Sequence, residues 1–535
     1  MKTTNILKAL FFFFFGLFFF SCEKSPAVQD DVISQPEGYK DLYNLYKRGG
    51  RYNTVSTESA SLLLISDRGA TLVMSLKNVV VEEIVGANPK VVAVDAEGNW
   101  MVGGVSTAIP RNEALRDEDA IPFYLYFSND RSLHLRISNG NHLIIKKLSV
   151  KIPIIKLTTS DGGDIVSKED YKTGTITIND FDHLYWDKNE FSATMRIRGR
   201  GNSTWGMPKK PYKVKLDEKA RIFGMSTDKE WCLLANYCDK SLLRNLTAME
   251  ISRRLEFSWT PKMQPVEVYL NGRYDGVYNF CEHKKVSPER VNIDVDAGDI
   301  LFEIEQQLDE PVCWTTAHGC PIMFSDPELP TEEQIQYAKS FFKSFEDALW
   351  AKQFDTVYGQ YIDKDSFINN FIIQELTKNV DGNLRKSTFL TLPKGGKLEM
   401  YHVWDFDISM GNCDYYYDGY DSPNSWKGWW IKDQGANGRN HGWYYRLFMD
   451  PVFCADVKAR WIEVYPLLAT IPEYINEMVE VLGDAPERNF RRWDILSVYV
   501  WPNAKVTGSY AGEVDWLLEY YTKRLKWMDF QIRSW

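Results

Sequence analysis

Apolar and polar positions follow three successive regimes along the 535 residues. Between residue 38 and about 150 the apolar runs are short and alternating. Ser61-Leu-Leu-Leu-Ile-Ser, Thr71-Leu-Val-Met-Ser-Leu, Lys90-Val-Val-Ala-Val and Leu133-His-Leu-Arg-Ile are separated by turn formers such as Asp67-Arg-Gly and Glu97-Gly-Asn. Period-two runs with that punctuation predict a small β-sandwich over 38–150. A second set of strands opens at Ile152-Pro-Ile-Ile-Lys-Leu and continues through Phe280. Val266–Phe280 reads as a hairpin that turns on Asn271-Gly272. From about Thr331 the apolar spacing becomes helical, first over Glu333–Trp350 and Phe367–Leu376. It recurs over Ala455–Leu468, Tyr474–Leu482 and Glu513–Met528. Strand-rich sequence followed by helix-rich sequence predicts an α+β, two-lobed domain over 152–535. A cleft between lobes is the default place for a ligand.

The N-terminus adds an address. Lys2 and Lys8 flank the start of a run of 12 apolar residues, Ala9–Phe20, which is followed by Ser21-Cys22. The run is too short to span a bilayer, and the layout is that of a signal peptide over residues 1–22. A small residue directly before a cysteine resembles the lipobox of exported lipoproteins, with the lipid on Cys22. The alternative is an ordinary signal peptide with an incidental cysteine. Residues 23–37, with Pro26, Asp30, Asp31 and Pro36, read as a tether. No later segment has 18 consecutive apolar residues, so we expect a chain exported and lipid-anchored in the cell envelope, on its periplasmic or surface face.

Composition narrows the chemistry. A 44% hydrophobic chain can bury a large core, and a net charge of −10 argues against nucleic acid as a partner. Of eight cysteines, seven remain once Cys22 is assigned to the lipid, and no Cys-x-x-Cys pair suggests a zinc ribbon.

Arg196-Ile-Arg-Gly-Arg-Gly-Asn-Ser-Thr-Trp205 aligns Arg196, Arg198 and Arg200 on one strand face. Lys209, Lys210, Lys213 and Lys215 follow, with no acidic residue from 196 to 215. Such a patch suits phosphate or carboxylate groups, or else is a solvated basic strand. Gly199 and Gly201 would let backbone approach a ligand. Lys378-Asn-Val-Asp-Gly-Asn383 ends a helix, and His402-Val-Trp-Asp-Phe-Asp-Ile-Ser409 carries Asp405 and Asp407 in an apolar strand, where alternation aims both at one face. Two carboxylates on one face repel unless a proton or cation lies between them. A Mg²⁺ site drawn from Asp381, Asp405, Asp407 and Asn383 is chemically sensible. The alternative is one helix-capping aspartate and one paired with arginine. The D-x-D also resembles the phosphoaspartate motif of haloacid-dehalogenase-type phosphatases, but no βαβ series follows it. Metal-dependent glycosyltransferases share the D-x-D as well, without a nucleotide-sugar fold pattern here.

The order of the blocks is specific. Arg198-Gly-Arg-Gly-Asn-Ser-Thr-Trp, Lys210-Pro-Tyr-Lys-Val-Lys-Leu, Leu243-Arg-Asn, Tyr269-Leu-Asn-Gly-Arg-Tyr-Asp-Gly-Val-Tyr, Asn379-Val-Asp-Gly and Trp404-Asp-Phe-Asp occur in series. The series resembles the CotH kinase family over about residues 152–480. That resemblance implies an atypical protein-kinase-like fold and phosphoryl transfer from ATP with Mg²⁺ or Mn²⁺. It implies Asp381 as catalytic residue and Asp405 on the metal, with Asp407 and Asn383 beside it. It further implies Lys213 or Lys215 on the phosphates, Glu282 paired with that lysine, and Arg198 and Arg200 near the nucleotide. There is no G-x-G-x-x-G loop, a role that falls to Arg198–Gly201. An exported protein meets little ATP, which keeps open an inactive relative that binds carbohydrate or peptide. Tyr415-Tyr-Tyr417, Trp426 and Trp429-Trp430, in a polar loop, suit either ligand, or else pack in the core or a lid. The acceptor, protein or glycan, is not written in the sequence.

Overall fold

The alternating runs on either side of residue 150 do become strands. A computed structural model describes strands between Tyr52 and Lys147, and residues 152–179, 190–382, 384–415, 425–433 and 441–535. The signal peptide, Cys22 and tether of the sequence reading therefore lie outside the described residues, as do Asn383, Tyr416 and Tyr417. The chain falls into two compact units. One comprises Met1–Lys151, Asn179–Phe191 and Ile222–Gly224; the other comprises Ile152–Ile178, Ser192–Arg221 and Met225–Trp535.

The named elements of the first unit's N-terminal part are all strands, in three antiparallel sheets. Tyr52–Ser56, Ser61–Ser66 and Thr71–Ser75 form one. Val79–Ile84 joins His142–Lys147, Ser132–Arg136 and Tyr124–Ser128 in another. Val92–Val94, Asn99–Val102 and Val105–Pro110 form the third.

The second unit is mixed α+β. Its first seven strands are β1 (Ile154–Thr159), β2 (Lys172–Asn179), β3 (Glu190–Gly199), β4 (Tyr212–Ala220), β5 (Asp228–Leu234), β6 (Met263–Leu270) and β7 (Arg273–Glu282). They close a barrel in the order β1-β2-β3-β4-β5-β7-β6, sealed by parallel pairing of β1 with β6. Alternation explains why β4 sits in such a wall. Tyr212, Val214 and Leu216 are buried while Lys213 and Lys215 are half-buried on the other face. Each aliphatic buried this way contributes roughly 1.5–3 kcal/mol. The β6–β7 hairpin turns on Asn271 (φ 49°) and Gly272 (φ 78°), two left-handed residues that a tight antiparallel turn requires. The Asn271 side chain also accepts from the Thr159 main-chain N–H at 2.8 Å, which locks the turn to β1.

A five-stranded antiparallel sheet follows, built from β8 (Ile300–Ile304), β9 (Cys313–Thr315), β10 (Pro321–Asp326), β11 (Thr388–Leu392) and β12 (Glu399–Val403) in the order β9-β10-β8-β11-β12. The helices are α1 (Arg244–Arg254), α2 (Glu332–Leu349), α3 (Lys364–Thr377), α4 (Trp443–Leu447), α5 (Pro451–Leu468), α6 (Ile471–Leu482), α7 (Ala485–Arg492) and α8 (Tyr510–Arg533). The helical spacing from Thr331 onward thus yields α2, α3, α5, α6 and α8. Thr331 and Gln334 form a capping box on α2, and Asp363 caps α3. α3 ends on Lys378 in the left-handed region, which turns the chain into the Asp381 segment.

Candidate active site

The Asp405-Phe-Asp segment is not strand. β12 ends at Val403, and Asp405 adopts φ 67° in the turn beyond it. Strand alternation therefore does not aim Asp405 and Asp407; a hydrogen-bonded turn does. Asn245, on the first turn of α1, accepts from the Phe406 main-chain N–H at 2.8 Å. Asn379 donates to the Asp405 carbonyl at 3.0 Å, and Asn412 donates to the Asp407 carbonyl at 2.8 Å. Beneath them, Arg244 and Asp239 form a fully buried ion pair at 2.6 Å. Arg244 also donates to the Ser409 carbonyl at 3.0 Å. A left-handed non-glycine residue persists only where its surroundings over-determine it. The same holds around Asp381, where Lys378, Leu384 and Ser387 have φ of 43°, 60° and 47°.

Asp381, Asp405 and Asp407 line one cleft of about 310 Å³, with Arg200, Asn245 and Lys386 also on its wall. A cavity of about 760 Å³ is lined by Arg198, Lys213 and Glu230, and shares Arg200, His283 and Lys284 with the cleft. Burial raises the proton affinity of all three aspartates, and the Asp405 charge adds to the rise at Asp381 and Asp407. Burial and the Asp405 charge push Asp381 up to about 6. Burial, then Asp405, Asp381 and Asp239, push Asp407 well above the usual carboxylate range, against the Cys238 thiol that donates to it at 3.3 Å. Burial raises Asp405 too, while Arg200 and Lys386 oppose the rise. Arg200 lies over the Trp404 ring at 5.7 Å.

Asp381, Asp405 and Asp407 in one desolvated cleft, with Glu303, Glu305, arginine and lysine on its wall, mark a candidate functional site. The family model described as CotH kinase protein matches residues 197–528. The chain belongs to the CotH kinase family. No curated protein sequence matches it. The family match begins inside β3 and ends inside α8, so it takes in every one of these cleft residues.

Within this CotH kinase-family domain the basic strand resolves into distinct roles. Lys213 and Lys215 both bind Glu230, at 2.8 and 2.6 Å, and only Lys213 lines the larger cavity. Burial works to raise Glu230, but the two ammonium groups outweigh it and hold the carboxyl at about 2. Glu282, expected beside the lysine, instead accepts from the main-chain N–H groups of Ser226 and Lys262 at 2.6 and 3.0 Å. Its carboxylate serves the backbone just before β5 and just before β6, and Glu230, directly opposite Lys215 on the neighbouring strand, takes the lysines. Arg198 donates to the Lys168 carbonyl and stands over the Tyr171 ring at 5.0 Å. Gly199 makes room for protein rather than ligand: a Cβ there would lie 2.3 Å from the Trp205 ring.

Among the described residues no three His, Cys, Asp or Glu side chains gather closely enough to hold a metal ion by themselves. The donor set nonetheless suits Mg²⁺, which is commonly bound through one or two carboxylates, with water and substrate phosphate filling the rest. Asp405 and Asp407 line the same cleft, and two carboxylates so placed repel unless a cation or a proton lies between them. Glu230, Cys238, His283, Lys284 and Lys386 also line the two cavities. Their signal lies in position within the fold, since none belongs to a spaced motif.

Proposed function

We propose that the domain is a two-lobed, kinase-like phosphotransferase that moves the terminal phosphoryl group of ATP to a hydroxyl acceptor. The observation that carries this reading is the convergence of Asp381, Asp405 and Asp407 with Arg200 in one cleft. Asp405 and Asp407 would hold Mg²⁺ or Mn²⁺, which neutralises phosphate charge when bound. Asp381 accepts the proton of the acceptor hydroxyl and orients it for in-line attack. Lys213, fixed by Glu230, would hold phosphate from the larger cavity, and Arg200 would face the charge that develops on the phosphoryl oxygens. The test is label transfer from ATP to cell-envelope acceptors in Mn²⁺ or Mg²⁺. Asp381→Ala should lower it by ~10²-fold or more, as for other positioned catalytic groups. Transfer that survives the substitution rejects the mechanism.

A second reading rests on one feature. Tyr415 and Trp501 stack with centroids 5.6 Å apart and planes 4° apart on the cleft wall, and Trp501 is 46% exposed. A flat, exposed ring pair of this kind suits a sugar or peptide ring, so an inactive, ligand-binding member predicts binding that depends on Trp501 and no transfer at all.

We further propose that the chain is exported and lipid-anchored through Cys22, with residues 38–150 as a β-sandwich spacer or binding module. No helix among the described residues is long and apolar enough to cross a membrane. Cys22→Ser should leave the protein unanchored or unprocessed; unchanged membrane fractionation rejects the anchor.

A further inference from the structure

Three basic side chains line the carboxylate cleft: Arg200, Lys284 and Lys386. Lys284 is paired with Glu303 and lies over the Phe389 ring at 4.6 Å. Arg200 rests over the Trp404 ring at 5.7 Å. The Lys386 ammonium has no hydrogen-bond, ion-pair or ring partner among the described residues. It lines the same cleft as Asp381, Asp405 and Glu305. The main chain around it is held firmly. The Lys386 N–H donates to the Asp381 carbonyl at 3.1 Å, and the Thr388 hydroxyl donates to the Lys386 carbonyl at 3.1 Å. Leu384 and Ser387, on either side, sit in the left-handed region. A turn strained at two non-glycine residues thus delivers a half-buried cation to the cleft that the aspartates line. A cleft lined by an unpaired ammonium and by carboxylates has the charge pattern of a site for a dianionic group that brings its own cation.

We propose that Lys386 binds the terminal phosphoryl group of the bound nucleoside triphosphate and stays on it during transfer. This rests on the phosphotransferase reading above. In the step, the acceptor oxygen forms a bond to the terminal phosphorus and gives its proton to the Asp381 carboxylate. The bond from that phosphorus to the bridging oxygen breaks, and the nucleoside diphosphate leaves with the electron pair. Lys386 changes neither protonation nor bonding; it neutralises charge on the moving group. It differs from Lys213 in location, since Lys213 is on the wall of the larger cavity and already bonded to Glu230.

The discriminating measurement is calorimetric binding of Mn²⁺–ADP and of a non-hydrolysable Mn²⁺–ATP analogue to the full chain and to Lys386→Met. Wild type should bind the triphosphate more tightly than the diphosphate. Lys386→Met should remove that preference by roughly tenfold to a hundredfold, the range for one hydrogen bond to a charged group, while ADP affinity stays within about twofold. Lys386→Arg should restore part of it. Lys386→Gln serves as a second variant if the methionine form melts lower than wild type. An unchanged ratio of triphosphate to diphosphate affinity in Lys386→Met and Lys386→Gln overturns the assignment and leaves the phosphotransferase reading standing. A wild-type chain that binds neither nucleotide overturns both.

Discussion

Asn379 bridges the two halves of the carboxylate cleft: its side-chain amide donates to the Asp405 carbonyl at 3.0 Å, and its Oδ1 accepts from the Asp381 main-chain N–H at 3.3 Å. The residue is fully buried. Its removal leaves a half-buried carbonyl and a half-buried N–H without this partner, which costs about 1–3 kcal/mol at most for such groups. Asn379→Ala should therefore lower the urea midpoint at unchanged slope. It should also reduce transfer by more than its stability loss accounts for, because the spacing of Asp381 and Asp405 is no longer fixed. Stability and transfer measured on the same preparation check both.

Asp381 separates function from stability. Its ordinary value of 3.8 is pushed up to about 6 by burial and by Asp405. A carboxyl raised in the folded state contributes stability below its unfolded value, and that contribution is lost as pH rises through the folded one. At neutral pH the ionised Asp381 is therefore a burden on the metal-free fold. Asp381→Asn should raise the thermal midpoint at pH 7.5 by roughly a few degrees, with the gain vanishing below about pH 4. It should abolish transfer at the same time. A midpoint that falls at pH 7.5 contradicts the electrostatic account.

Glu230 carries the opposite sign. Its carboxyl, 4.5 ordinarily, is held at about 2 by Lys213 and Lys215 against the effect of burial. A depressed carboxyl contributes stability above its unfolded value, and that contribution fades as pH falls toward the folded value. Glu230→Gln should destabilise the domain by about 1–3 kcal/mol at pH 7, since two ammonium groups lose their shared partner. The gap between wild type and variant should close between about pH 4.5 and pH 2. Denaturant melts at several pH values give the curve directly.

A buried pair pins the C-terminal helix to the site. Arg524 on α8 and Glu375 on α3 are both fully buried and meet at 2.8 Å. Glu375 also accepts the main-chain N–H groups of Trp430, Ile431 and Lys432 at 2.7–2.8 Å. Glu375 lies near the end of α3, just before the turn that delivers Asp381. Arg524→Met strands a buried carboxylate, and breaking pairs of this kind costs about 3–5 kcal/mol. The double variant Glu375→Gln/Arg524→Met should lose less than Arg524→Met alone. Thermal melts of the three chains settle the coupling.

Local pattern determined much of this protein. Alternation over Tyr212–Leu216, the Asn271-Gly272 turn and the helical spacing of Glu333–Trp350 are properties of short segments, because backbone geometry alone converts period into strand, hairpin or helix. The ordered blocks around Arg198, Asp381 and Asp405 carried the family and the carboxylates of the site in the same way. What pairs with what was decided only by tertiary structure. Lys213 and Lys215 are equivalent on paper, and only barrel closure turns one toward the cavity and brings Glu230, rather than Glu282, to both. Asp405 and Asp407 look like strand residues until Asn245, from a helix 160 residues earlier, accepts from Phe406 and helps fix the turn that aims them. Lys386 carries no motif at all. Its surroundings are built by strands and turns distant in sequence, and the electrostatics of a cleft depend on which charges the fold brings together, a sum that no local pattern contains.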